Sequence, residues 1–139
     1  DKSKIRLSIV GDGPDFRQIK SLINLRPDGI ELLGRLPNNE ALVAISKAHC
    51  LVVNSNVETF SVVSIEARAQ GLQVIATDCG GPSEYAVDFT LIIQKNNLED
   101  LKTHMLFALE KSNIPKRVIQ EFSRSSIGTS LFSLYEFYA

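Results

Sequence analysis

Two glutamates stand eight positions apart in the stretch "ETFSVVSIEARAQG", Glu58 to Gly71. Between and after them, Val62, Val63, Ile65, Ala67 and Ala69 leave almost no polar face, so the segment reads as the start of a buried helix. A carboxylate loses its water on burial and gains nothing unless a partner meets it. Glu58 and Glu66 therefore either reach solvent through the geometry of the helix, or a polar ligand comes to them. Glu58 lies just past a predicted strand, and "TFSVV" opens the helix, with Thr59 or Ser61 as a candidate cap. The unpaired N–H groups of a helix start, together with the positive end of its dipole, make an anion site. Glu66 falls one turn after Val62, on the side of Ile65 and Ala69. A carboxylate there suits two adjacent hydroxyls, as in a ribose diol. Phosphate at the helix start and ribose farther along it are spacings that one nucleoside diphosphate sugar satisfies, with Glu58 toward the sugar. The residues alone leave a second reading equally open: two acids in the N-terminal half of a helix, favoured by its dipole.

The elements that must hold these residues alternate along the chain. "KIRLSIVG" (Lys4 to Gly11) reads as a buried strand. "GPDFRQIKSLINL" follows as a helix, with Pro14 suited to its first turn and Phe16, Ile19, Leu22 and Ile23 at helical spacing. "GIELLG" (Gly29 to Gly34) is the next strand, and "NNEALVAISKAH" (Asn38 to His49) the next helix, capped by Asn38 or Asn39. "CLVVNS", "QVIATD" and "TLIIQ" complete five strands, the last two separated by the glycine-rich turn "CGGPSEYAV" with a short helix. After Asn97 the pattern is helical to Tyr138, with a break at Pro115. Such alternation, with strands apolar on both faces, predicts an α/β fold: a doubly wound, Rossmann-like parallel sheet between helix layers. Ligands of such sheets bind at the carboxyl ends of the strands. That rule selects the loops Gly11 to Pro14, Gly34 to Pro37, Asn54 to Ser61 and Asp78 to Glu84.

Composition removes several function classes. Lys and Arg number 15 against 16 Asp and Glu, so no overall field draws in nucleic acid or an anionic membrane. No apolar run approaches the roughly 20 residues that span a bilayer, and no signal peptide opens the sequence. A cytoplasmic location is the expectation. Cys50 and Cys79 belong to no metal-ligand or redox pattern and read as buried free thiols. His49 and His104 have no ligand partner at binding spacing, so no metal is expected. "GDGP" is not a dinucleotide fingerprint, because Phe16 stands where the third glycine belongs and Pro14 offers no N–H. No P-loop exists either. In the tail, Lys111, Lys116, Arg117 and Arg124 are interleaved with acids and read as a solvated helical surface, which limits membrane contact to the peripheral kind.

The run "NSNVETFSVVSIEARAQGLQVIATDCGGPSE" resembles the E-x7-E region of glycosyltransferase family 4, retaining enzymes of the two-domain GT-B fold. "LSIVGDGP" and "IELLGRLPNNEALVAISKAHCLVVNS" resemble the approach to that region in the family's nucleotide-sugar-binding C-terminal domain. The resemblance is close over Leu7 to Glu84 and looser in the tail. It implies that Glu66 holds the ribose hydroxyls and that Glu58 faces the transferred sugar near the reacting carbon. It implies a diphosphate cradle from the loop at Thr59 and the backbone of Phe60, Ser61 and Val62, and a base contact from the backbone of Arg35 and Leu36. Gly80, Gly81 and Glu84 would border the donor pocket.

Three departures accompany the resemblance. Ser61 stands where the family usually has glycine, and Gln73 where proline is common. The family's first strand, ending in G-R with a lysine soon after, has no counterpart in these 139 residues, nor has the N-terminal acceptor domain. Residues 1–139 thus read as one domain, a fragment: the C-terminal donor-binding half of a longer enzyme, without its first strand and helix. That strand is central in the family's sheet, so the strands near Ile5 and Cys50 should be either exposed or closed against each other. The implied reaction is transfer of a sugar from a nucleoside diphosphate donor such as a UDP-sugar to an acceptor hydroxyl, in polysaccharide or glycolipid synthesis. The isolated domain would be inactive, and the parent could work at the inner face of the membrane. A non-catalytic nucleotide-sugar-binding module, or another GT-B enzyme such as a sugar epimerase, is the alternative.

Overall fold

A computed structural model describes residues 5–25, 28–84, 90–110 and 125. The cationic tail positions named above lie outside them, as do all but one of the residues past Glu110. Five strands and five helices alternate: β1 (Leu7–Val10), α1 (Phe16–Leu25), β2 (Ile30–Gly34), α2 (Asn38–Ser46), β3 (Cys50–Val53), α3 (Val62–Ala69), β4 (Gln73–Thr77), α4 (Gly81–Glu84), β5 (Thr90–Ile93) and α5 (Leu98–Glu110). Every strand pair is parallel. The predicted α/β order holds over the described residues, with glycine, proline or asparagine in many of the turns between the apolar runs.

The strands form two sheets, β1-β2 and β3-β4-β5, and the chain divides into two compact units, Asp1–Ala44 and Ile45–Ala139. In the second unit, β4 is central and buried at all five positions. The side-chain alternation of a strand sends its residues to two cores. Val74 and Ala76 pack with Val53, Leu51, Ile92 and Ala67 of α3. Ile75 packs with Ile93, Val52, Cys50 and Ala108, Leu101 and Met105 of α5. Helices therefore cover both faces of this sheet, the arrangement expected of a doubly wound fold.

The first unit differs. The apolar run "KIRLSIVG" predicts a buried strand, yet β1 is largely exposed, with Val10 at 46%. The reason is topological: β1 pairs only with β2, and its other edge has no strand among the described residues. In the second unit β3 likewise has a strand on one side only among the described residues.

Local chemistry explains the helix ends. Asn97 caps α5, its side-chain oxygen accepting from Asp100 N–H at 3.0 Å. Asn38 and Asn39 do not cap α2. They lie inside it, and the carbonyl of Pro37 accepts the first helical bond from Ala41 at 2.9 Å. That helix stops at Ser46, so His49 lies beyond it. α3 closes in a Schellman motif: Leu72 N–H bonds to Ala67 O at 3.0 Å and Gly71 N–H to Arg68 O at 2.9 Å, with Gly71 at φ 85°. Leu72 then packs beside Ala67, so this turn delivers the chain straight into β4.

Candidate functional site

Within the second unit the carboxyl ends of β3 and β4 feed two loops, 54–61 and 78–80, that run against each other. Glu58 forms a parallel bridge with Gly80. Its N–H donates to Cys79 O at 3.3 Å, and its carbonyl accepts from Gly81 N–H at 3.0 Å. The approach is close enough to dictate residue type. A Cβ on Gly81 would overlap the Thr59 carbonyl oxygen, and one on Gly80 would lie 2.7 Å from Glu58 O. "GG" in "CGGPSE" is thus a packing requirement of the Glu58 loop. Ser83 Oγ donates to Asp78 Oδ1 at 2.6 Å and closes the second loop on itself.

The two glutamates have different surroundings. Glu58, half-buried, turns its carboxylate onto its own loop: Oε1 accepts from the N–H groups of Thr59 and Ser61, each at 3.1 Å. Glu66 is also half-buried, in the middle of α3, and its carboxylate meets no hydrogen-bond or ionic partner among the described residues. Among the described residues one acid has partners and the other has none.

Ser61 occupies the cap position of α3 without capping it. It sits in the left-handed region, φ 56° and ψ 67°, where a side chain is disfavoured and glycine is not. Its hydroxyl is 2.7 Å from that of Ser64, both buried, and no side-chain cap bond forms. Thr59 does not cap either. The carboxylate of Glu58 accepts the N–H of Ser61 itself, which orders the turn before the helix but meets none of the helix's own first N–H groups. The N–H groups of Val62 and Val63 meet no acceptor among the described residues and remain available to an anion.

The helix is also turned differently from the expected all-round burial. It buries Ser64, Ala67 and Arg68, while Val62 is 60% exposed and Val63 and Ala69 are exposed as well. Positions 61, 64 and 68 share one face at helical spacing, and that face meets the sheet. The exposed residues around Glu58 consequently include the apolar Val57, Phe60, Val62 and Val63 beside the polar Asn56 and Thr59.

Arg35 and Leu36 belong to the first unit. Arg35 Nε donates to Asp12 Oδ1 at 3.1 Å in an exposed ion pair that links the two loops following β1 and β2. Gly80, Gly81 and Glu84 stay with Glu58, since α4 begins at Gly81. Among the described residues no group of three or more His, Cys, Asp or Glu could hold a metal ion. No described helix is long and apolar enough to cross a membrane. Cys50 and Cys79 are free thiols, half-buried rather than buried, and burial pushes the Cys50 thiol up to about 11.

One contributor was not apparent from the sequence. Thr77 ends the apolar run "QVIAT" and is 1% exposed. Its Oγ1 accepts from Ser55 N–H at 3.0 Å and donates to Ser55 O at 2.5 Å, clasping the root of the Glu58 loop. The only trace of it in the sequence is a hydroxyl at the carboxyl end of an otherwise apolar strand.

The fold and the sequence both have known relatives. An uncharacterized glycosyltransferase of Methanocaldococcus jannaschii is 35% identical over 124 residues, covering 84% of this chain and 35% of that protein. A GDP-mannose-dependent alpha-mannosyltransferase of Mycobacterium tuberculosis is 38% identical over 80 residues, 58% of this chain and 20% of that protein. The chain thus spans about a third or less of the curated relatives it matches. A sucrose-phosphate synthase structure from Thermosynechococcus elongatus superposes with a TM-score of 0.79 at 24% identity, over 96% of this chain and 38% of that one, a likeness of GT-B fold. The sequence model of the family described as Glycosyl transferases group 1 matches residues 1–124, and the chain belongs to that family.

Proposed function

We propose that this chain is the donor-binding part of a retaining glycosyltransferase, taking a nucleoside diphosphate sugar and passing its sugar to an acceptor hydroxyl. The observation that carries the reading is Glu66: a half-buried carboxylate without a protein partner among the described residues, on a helix whose first N–H groups are open. A ligand with two vicinal hydroxyls and, closer to the helix start, an anionic group supplies what both lack. The mycobacterial relative is named for its use of GDP-mannose, a donor of this chemical class.

In this reading Glu66 accepts from the ribose hydroxyls, and the N–H groups around Phe60, Ser61 and Val62 face the diphosphate. The Ser61 N–H already points at Glu58 Oε1, so the open donors of Val62 and Val63 are the better placed for phosphate oxygen. Glu58, on the loop beside Gly80 and Gly81, faces the sugar. The acceptor oxygen bonds to the anomeric carbon on the face from which the diphosphate departs. The bond from that carbon to the diphosphate oxygen breaks, and the acceptor proton goes to the leaving phosphate. Positive charge grows on the sugar and negative charge on the diphosphate, so fixed dipoles and one carboxylate supply most of what the protein contributes. The assignment of Arg35 and Leu36 to the base, and of Glu84 to the pocket rim, rests on the family resemblance. The acceptor site, the upstream Arg and Lys, the missing first strand and a cytoplasmic setting are likewise assigned to a longer parent. Among the described residues β1 and β3 each carry a strand on one edge only, which supports the strand assignment.

The test uses the full-length protein. Glu66→Ala should weaken nucleotide-sugar binding by about tenfold or more, since each hydrogen bond to a charged acceptor contributes ~1.5–3 kcal/mol. Its thermal midpoint should not move, because the carboxylate holds no partner among the described residues. Wild-type affinity in the Ala variant, measured by calorimetry over a panel of nucleotide-sugars, would sink the reading. Glu58→Gln keeps an oxygen for the Thr59 and Ser61 N–H groups and removes only the charge. It should therefore lower single-turnover transfer strongly while nucleotide diphosphate affinity stays nearly constant. Lost affinity with retained turnover would reverse the roles of the two acids.

A further inference from the structure

We propose that Thr77 is a positioning residue for Glu58, holding the catalytic loop through its hydroxyl. The proposal rests on the glycosyltransferase reading above for its functional half, and on geometry alone for its structural half.

The β3-β4 ladder runs from Cys50↔Gln73 to Val53↔Ala76 and then ends. Beyond it the two chains diverge, and Ser55 has no main-chain partner on β4. Just past the end of β4 the main chain turns to its other neighbour, since Asp78 N–H bonds to Ile93 O at 2.8 Å. Partly buried N–H and C=O groups left without partners are costly, so something must meet those of Ser55. Thr77 Oγ1 meets both, accepting from the N–H at 3.0 Å and donating to the carbonyl at 2.5 Å. A single hydroxyl is both donor and acceptor, and a β-branched residue on a strand has few rotamers in which to place it. Val53 O at 3.4 Å and Cys79 Sγ at 3.5 Å lie around the same oxygen. The hydroxyl thus stands between the root of the Glu58 loop and the root of the 78–80 loop that pairs with it.

Three residues beyond this clasp, Glu58 is fixed again by its bridge to Gly80 and by its own carboxylate on Thr59 and Ser61. With one end anchored at Thr77 and the other at Gly80 and Gly81, residues 55–58 have little freedom to shift along the strand direction. A reacting carboxylate displaced by about 1 Å can lose on the order of a hundredfold in rate. Thr77 touches neither donor nor acceptor in this scheme and works entirely through Ser55.

Thr77→Val removes the hydroxyl at constant shape, and Thr77→Ser retains it. In the full-length protein, Thr77→Val should speed amide exchange at Ser55 and at Thr59 to Ser61 by about tenfold, with β4 still protected. It should lower single-turnover sugar transfer by about tenfold or more and change nucleotide diphosphate affinity less than about twofold. Thr77→Ser should restore both. Unchanged exchange in the loop overturns the tether, and so does loss of protection throughout β4, which would make Thr77 a core residue only. Equal slowing of transfer by Val and Ser overturns the role of the hydroxyl. If the wild-type protein transfers no sugar, the glycosyltransferase reading falls and Thr77 loses its functional half, while the exchange rates still decide whether the tether exists.

Discussion

The two units of the chain are built from the same alternation of strand and helix, yet they bury their residues very differently. Among the described residues of Asp1–Ala44 none is buried. In Ile45–Ala139 a whole strand is, with Val74, Ile75 and Ala76 at zero exposure. The composition of the strands does not explain the contrast, since "LSIV" is as apolar as "QVIAT". Neighbours explain it. β4 has a strand on each side and a helix on each face, whereas β1 has one strand partner. α1 buries none of its residues, and an open hollow lined by Ile9, Ile19, Leu22, Ile23, Leu25 and Ile30 is shared by α1, β1 and β2. A two-stranded sheet with a single helix lies near the lower limit of independent stability. Apolar content decides which element forms, and the number of neighbours decides whether it becomes core.

Matched substitutions can break that comparison. Ile75→Ala removes a fully buried side chain between β5 and α5 and should cost about 2–5 kcal/mol in chemical denaturation. Leu7→Ala, on the exposed strand, should cost less than about 1 kcal/mol. Equal costs would mean that the first unit has a core of its own. The glycines offer a second pair. Gly81→Ala drives a methyl group into the Thr59 carbonyl and should cost about 1–3 kcal/mol, together with nucleotide-sugar binding. Gly13→Ala meets nothing within 4 Å and should stay within about 0.5 kcal/mol of wild type in a thermal melt. A harmless Gly81→Ala would mean that the two loops of the second unit are not pressed together.

The smallest effect concerns Cys50, on the α5 side of the sheet. Burial raises its thiol to about 11, so the folded chain favours the protonated form. The stability this contributes is full below the ordinary thiol range and is lost as pH rises through about 11. A thermal midpoint that falls over this range in the wild type, and falls less in Cys50→Ala, is the expected result. At pH 8 Cys50 should also alkylate more slowly than a small free thiol, because little of it is thiolate.

The order of elements was readable because each depends on a local run of residues. "CLVV" cannot be other than a strand between "KAH" and "NSN", and "LEDLKTHMLFALE" carries its own cap in Asn97. The sequence singled out Glu58, Glu66, Gly80 and Gly81 as residue types, and the structure brings Glu58 together with the two glycines. What stayed hidden depends on backbone angles and on contacts between distant segments. The left-handed Ser61 cannot be inferred from a serine, and the same turn sets which face of α3 is buried, sending Val62 outward and Ser64 inward. The satisfaction of Glu58 by its own loop follows from that turn as well. Thr77 was hidden for another reason: a threonine at a strand end is ordinary until the divergence of two chains beyond it is known.

The bridge between Glu58 and Gly80 has a consequence for how such a protein can diversify. The address of Glu58 is written in main-chain atoms, the N–H and C=O it exchanges with Cys79 and Gly81. The side chains of Val57 and Val62 are exposed and take no part in that bridge. They can drift, or be randomised in a library, without moving the carboxylate they surround. Substitution at Val57 and Val62 can therefore change the surface around Glu58 while its main chain stays in place. The glycine pair on the facing loop is too cramped to change and has to be inherited intact.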